Sequence, residues 1–196
     1  MPLRSSPHDI TPVTRVRTTL VHSSRRALEA RGLLGVYTER LTPADRAALE
    51  HVVPGRWLGI ELAMSHYRAV DALRLPVSEQ VALGGNVAGL IQGTLVATLL
   101  GMASRGLGLT PWTGVNQYAR IWDRLFMGGD LMVEKLGERE ALVTMYKLPL
   151  LGIPYFRVAL RGVQEQGLSA IYSWHKLHVS ELSSAEASAK YRLTWV

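Results

Sequence analysis

From Val81 to Ser104 the chain carries no charged residue, and small and bulky side chains recur there with a period of four. Gly85, Gly89, Gly93, Ala97 and Gly101 form one series, and Leu83, Val87, Ile91, Leu95 and Leu99 form another, offset by two. In an α-helix, positions four apart line one ridge and a two-residue offset is about 200°, so the pattern predicts a helix smooth on one side and bulky on the other. Each interior glycine costs a helix about 1 kcal/mol relative to alanine. Four cost about 4 kcal/mol, against a typical domain stability of about 5–15 kcal/mol. Close approach of another helix, in the same subunit or a second copy, would offset that cost, with Gly85, Gly89 and Gly93 as the expected contact points. Asn86, Gln92, Thr94 and Thr98 interrupt the apolar run and no aromatic or basic belt flanks it. A buried helix is therefore expected, not a membrane span.

Elsewhere the pattern reads as helices followed by strands. Val16, Leu20, Ala27 and Leu28 predict a helix stopping at Gly32. Thr42-Pro43-Ala44-Asp45 is a helix start, with a threonine cap, proline at the first position and aspartate at the positive end of the dipole. Ile60, Ala63, Tyr67 and Val70 predict a helix from Trp57 to Leu73, and Ser78 is the expected cap of the glycine-ridged helix. Thr110-Pro111 opens another, with Trp112, Val115, Ala119, Trp122 and Phe126 on one face and Gly128-Gly129 as its end. The period then drops to two over Leu131–Leu136 and Leu142–Leu148, a hairpin turning at Gly137-Glu138. A helix from Pro154 to Gly167 follows, with Phe156, Leu160 and Val163 inward and Arg157, Arg161 and Gln164 outward. Strands over about 168–181 and 188–196 close the chain, with Tyr191, Leu193 and Trp195 on one face of the last. Helices followed by strand–strand–helix–strand–strand predict an α+β fold, N-terminal helices packed on a four-stranded antiparallel sheet. Residues 1–12 read as a flexible arm and 13–196 as a single domain.

Composition narrows the chemistry by exclusion. The net charge is +6, with 18 arginines against 4 lysines, but the cations are scattered. The densest group (Arg15, Arg17, Arg25, Arg26 and Arg31) reads as a solvated helix face, so nucleic acid is an unfavoured partner. There is no cysteine, hence no disulfide and no thiolate metal site. The N-terminal residues lack an apolar signal core, which gives a cytoplasmic expectation.

Nucleophile-elbow, phosphate-loop, dinucleotide and paired-histidine zinc motifs are absent. The glycine-rich string 84–89 follows no predicted strand, which removes the setting a phosphate cradle needs. His175 and His178 fall on opposite faces of a predicted strand, and His66 stands alone on a helix. No metal, cofactor or catalytic residue is expected, and the chain reads as a non-enzyme. The aromatic residues carry the sharper reading. Trp112, Trp122, Phe126, Phe156 and Trp195 fall on inferred inward faces, as ordinary core or as the lining of an apolar ligand pocket between helices and sheet.

The segments RWLGIELAMSHYRAVDAL, LPVSEQVALGGNVAG, IWDRLFMGGDLMVEKLG and the terminal YRLTW resemble an uncharacterised bacterial paralogous family. That family is similar to the 4-vinyl-reductase-type ligand-binding domain, which belongs with the haem–nitric-oxide-binding and TRAPP-like proteins. The resemblance spans roughly residues 55–196. It implies helices on an antiparallel sheet, an apolar molecule, acyl chain or haem between the layers, and dimerisation through helices. The haem sensors carry Tyr-x-Ser-x-Arg, whereas the nearest string here is Ile171-Tyr172-Ser173-Trp174-His175, so no haem ligand is carried over. The combined expectation is a small-molecule-binding or sensing domain, homodimeric, with an interaction scaffold that binds no ligand as the alternative.

Overall fold

The computed structural model describes residues 9–103, 111–169, 177–185 and 187–196, leaving aside the side chains of 91–103 and 169. A short strand, β1 (Arg15–Arg17), leads into α1 (Thr18–Ala30), α2 (Leu34–Thr38) and α3 (Pro43–Glu50). Strand β2 (Trp57–Gly59) precedes α4 (Ile60–Asp71) and the long α5 (Val77–Ala103). Helices α6 (Pro111–Val115) and α7 (Tyr118–Leu125) lead to β3 (Phe126–Met127), β4 (Asp130–Gly137) and β5 (Glu140–Tyr146). A 3-10 turn (Pro149–Gly152), α8 (Pro154–Ser169), β6 (Leu177–Ala185) and β7 (Ser188–Trp195) complete the order. The architecture is α+β, with one antiparallel sheet of order β4-β5-β7-β6 and a small antiparallel sheet of order β2-β1-β3.

The register of the larger sheet shows why alternation predicted it. Leu131 pairs with Met145, Val133 and Tyr191 each with Val143, and Ala141 and Val179 each with Leu193. All of these are buried, so one face of four strands forms a continuous apolar layer. Helix α8 is fastened to β6 by polar ties: Val179 N–H donates to Glu165 Oε1 at 2.9 Å, and Arg161 Nε donates to the Val179 carbonyl at 3.1 Å. At the other end of the chain the Thr42 start forms as expected, its hydroxyl accepting from Asp45 N–H at 3.1 Å with Pro43 in the first turn.

Several expectations are corrected. Trp57–Gly59 is a strand, and the helix begins at Ile60. The helix expected from Thr110 to Gly128 is two helices parted at Asn116-Gln117, and Phe126 lies in β3. Gly114 and Asn116 are both poor helix formers, which weakens continuity at that point. Helix α5 starts at Val77, directly after Pro76, so Ser78 lies inside it. Helix α8 runs through Ser169, which corrects the start of the strand expected over 168–181; residues 170–176 of that strand lie outside the described residues, and its remainder falls in β6. Gln164, expected outward, is buried. Of the arm expected over 1–12, residues 1–8 lie outside the described residues. Ile10 is buried and the Thr11 carbonyl accepts from Gly129 N–H at 2.7 Å.

The packing of α5 moves the expected contact by one residue. Helices α5 and α8 pack together more extensively than any other two elements. The close approach is made by Gly84 and Gly162. A Cβ on Gly84 would stand 1.8 Å from the Ala159 carbonyl oxygen, and one on Gly162 would stand 1.9 Å from that of Val81. Gly85 meets α8 only at ordinary distance, with Gln166 Cβ 3.6 Å from its would-be Cβ, and Gly89 has no described atom within 4 Å. Gly93, Ala97 and Gly101, like Ile91, Leu95 and Leu99, lie outside the described side chains. Among the described residues no helix is long and apolar enough to cross a membrane.

Candidate functional site

Helices α7 and α8 and strands β4 and β5 do not close completely upon one another. A cavity of about 90 Å³ remains, bordered by Trp122, Phe126, Leu131, Met145, Val163 and Leu168. Helix α7 presents Tyr118, Ala119 and Trp122 inward at helical spacing, while β4 contributes Leu131 and β5 its register partner Met145. The turn after β3 fixes the tryptophan. Trp122 Nε1 donates to the Gly128 carbonyl at 3.1 Å, and its ring lies 4.6 Å from that of Phe126. Gly128 and Gly129 have φ of +92° and +62°, and a Cβ on Gly129 would stand 2.7 Å from the Trp122 ring. Both the backbone and the ring therefore require glycine at 129.

Two polar side chains reach this apolar space. The Tyr118 hydroxyl donates to Gln164 Oε1 at 3.1 Å, and both residues are buried. Burial pushes the Tyr118 phenol well above its ordinary pKa, so it remains a neutral donor. Gln164 Nε2 has no hydrogen-bond partner. The polarity of Gln164 predicts the outer face of its helix, and no signal short of tertiary structure brings it to Tyr118.

The five aromatic residues singled out from the sequence separate into three places. Trp122 and Phe126 border the cavity. Trp112 and Trp195 pair edge to face at 5.1 Å, with Trp112 Nε1 donating to the Glu138 carbonyl at 2.8 Å and Lys135 Nζ 5.4 Å from its ring. Phe156 turns to α4, where its ring meets Tyr67 at 4.8 Å. A broader, open cleft of about 790 Å³ lies between α1, α5 and α8, bordered by Arg26, Ala82, Gly85, Gly89, Leu90 and Gln166.

A second buried polar group lies among the N-terminal helices. His66 is wholly buried, with Nδ1 2.6 Å from the Tyr37 hydroxyl and Nε2 unpartnered. Desolvation, with a smaller contribution from the Arg25 cation, pushes its pKa down to about 3. His66 is thus a neutral core residue, held edge-on between the rings of Tyr37 and Tyr67. Among the described residues no cluster of histidine and carboxylate could hold a metal ion.

No protein-family model and no curated protein sequence matches the chain. Solved structures do. An oxygen-binding H-NOX domain related to soluble guanylate cyclases, in its oxygen complex, superposes with a TM-score of 0.60 at 11% identity, covering 91% of this chain and 94% of that one. An Fe(II) unliganded H-NOX protein mutant from K. algicida superposes with a TM-score of 0.65 at 8% identity, covering 92% and 96%. The fold is H-NOX-like. A further neighbour, at TM-score 0.57 and 11% identity, comes from work on haem redox potential and porphyrin distortion; it covers 91% of this chain and 99% of that one.

The cavity does not fit a haem. Its volume is far below the roughly 300–1,000 Å³ that cofactor-sized sites occupy. Its border holds no histidine and the chain has no cysteine. Of the other side chains that ligate haem iron, Tyr118 is already bonded to Gln164, and Met145 is packed in the sheet opposite Leu131. The string 171–175 lies outside the described residues.

Proposed function

We propose that this chain is a non-enzymatic small-molecule-binding or sensing domain that holds a compact apolar ligand between α7, α8 and the four-stranded sheet. The observation that carries the reading is the cavity bordered by Trp122 and Phe126 in an H-NOX-like fold. Cores are close-packed, and a partly open apolar space among buried aromatic and aliphatic side chains forgoes the packing contacts that a guest would supply. A molecule seated there recovers that loss. The volume favours a compact molecule over an acyl chain. The kinship with 4-vinyl-reductase-type and TRAPP-like domains that the sequence suggests belongs to the same reading.

Native mass spectrometry of the purified full chain tests it by detecting a retained small molecule. A thermal-shift series with small hydrocarbons tests it independently. A saturable rise in Tm is expected, and no rise with any of them would refute the proposal.

The alternative, a homodimer or interaction scaffold, draws on the open cleft on the Gly85–Gly89 side of α5, where Leu90 is 41% exposed.

A further inference from the structure

Gln164 is an unusual choice for its position. It is only 5% exposed, it borders an otherwise apolar cavity with no charged side chain on it, and it sits one turn from Leu160 and Leu168. Leucine or methionine would fill that place without desolvating an amide. The amide oxygen accepts from Tyr118, while Nε2 has no partner at all. A buried donor left unpaired forfeits its hydration with nothing in return, and this one borders a cavity where a water or ligand can pair with it. Tyr118 supplies the second half of the arrangement. Its phenol, kept neutral by burial, holds the amide by its oxygen and so fixes which end of the amide is left to bind something else.

We propose that the cavity binds a compact neutral molecule bearing one acceptor oxygen, a small carbonyl or hydroxyl compound, with Gln164 Nε2 donating to that oxygen and Trp122, Phe126 and Leu168 enclosing the hydrocarbon part. The proposal rests on the ligand-binding reading above and adds the chemical class. An anion is excluded because no cation borders the cavity to pair with it. Size follows from volume. A cavity of about 150 Å³ holds a benzene, so 90 Å³ scales to about four non-hydrogen atoms, and the partly open side of the cavity leaves room for a fifth. A ligand that small binds with micromolar affinity at best, so titrations must reach the millimolar range.

The probes are butan-2-one and n-pentane, matched in non-hydrogen atoms and differing in the oxygen. Nitrogen-15-labelled full-length protein is titrated with each. The Gln164 side-chain NH₂ resonances, assigned by their loss in Gln164→Met, and the methyl resonances of Leu160, Val163 and Leu168 are followed. Butan-2-one is expected to move the Gln164 amide protons downfield and saturably. The affinity ratio of butan-2-one to pentane is expected to fall about tenfold in Gln164→Met, which keeps the side chain's length and removes the donor. An unchanged ratio, with both probes still shifting the cavity methyls, would overturn the hydrogen-bond assignment and leave the ligand-binding reading standing. If neither probe shifts those methyls at its solubility limit, both fail. An amide that stays on a long-lived bound water and does not respond to butan-2-one also overturns the proposal.

Discussion

Replacing Gly84 with alanine puts a methyl group 1.8 Å from the Ala159 carbonyl oxygen, where real Cβ atoms essentially never come within 3.0 Å. The obstacle is backbone, so no side chain can swing aside, and α5 and α8 must part locally by about an ångström. Overpacking of a core costs about 1–3 kcal/mol when side chains can adjust; here the top of that range applies, about 3 kcal/mol. Alanine's helix propensity offsets about 1 kcal/mol. The net expectation is a loss of about 2 kcal/mol, a Tm lower by about 4–8 °C for a chain of this length. Gly162→Ala, facing the Val81 carbonyl at 1.9 Å, should cost about the same. One separation of the helices relieves both overlaps, so the double variant should cost less than the two singles together, with a coupling of about 1 kcal/mol. Gly85→Ala and Gly89→Ala meet open or ordinary space and should stabilise by up to about 1 kcal/mol. Urea denaturation of the five variants measures all of this. Strict additivity in the double variant, or an undiminished stability in Gly84→Ala, would refute a backbone-to-backbone crossing at these glycines.

Two further predictions concern other parts of the molecule. His66, with its pKa pushed down from the ordinary 6.5 to about 3, binds no proton in the fold at pH values where the unfolded chain does. Its contribution to stability is therefore present above pH 6.5 and is lost as pH falls, by about 2 kcal/mol between pH 7.5 and 5. That part of the slope should vanish in His66→Gln, and parallel wild-type and variant curves in urea would count against it. Gly89→Leu should leave the protomer folded, because its Cβ meets no described atom. If copies associate through this side of α5, sedimentation will show the variant lighter than wild type; equal masses, both dimeric, would exclude that face.

The large sheet was legible because its strands are long enough to show a period of two and bury only one face, as Tyr191, Leu193 and Trp195 do. The Thr42-Pro43 start was legible because a cap is a local interaction. The small sheet was not, since strands of two and three residues are too short to carry a period. The glycine ladder marks the helix that packs on α8, while the closest described approach falls at Gly84, one residue off the ladder. A four-residue ridge advances 40° per step around the helix axis, so spacing alone does not say where a partner crosses it. That depends on Gly162 in α8, whose approach is a tertiary fact. Trp122 and Phe126, inward by their spacing, border the cavity. Gln164 was not legible, because the signal of its burial is Tyr118, 46 residues away, and polarity alone argued for solvent.

Helix α8 joins these two findings. Gly162 presses on α5, while its neighbours Val163 and Gln164 border the cavity. The first contact is backbone against carbonyl and has no slack, so it fixes how far α8 can withdraw from the sheet. A cavity walled by flexible side chains alone could swell to admit larger guests. This one has a wall whose retreat would drive Gly162 into the Val81 carbonyl, a displacement as costly as the methyl group of Gly84→Ala. Under the proposed function, size selection would be set by α5 as well as by Trp122, Phe126 and Leu168. The glycines that let the two helices meet also fix the position of one wall of the cavity.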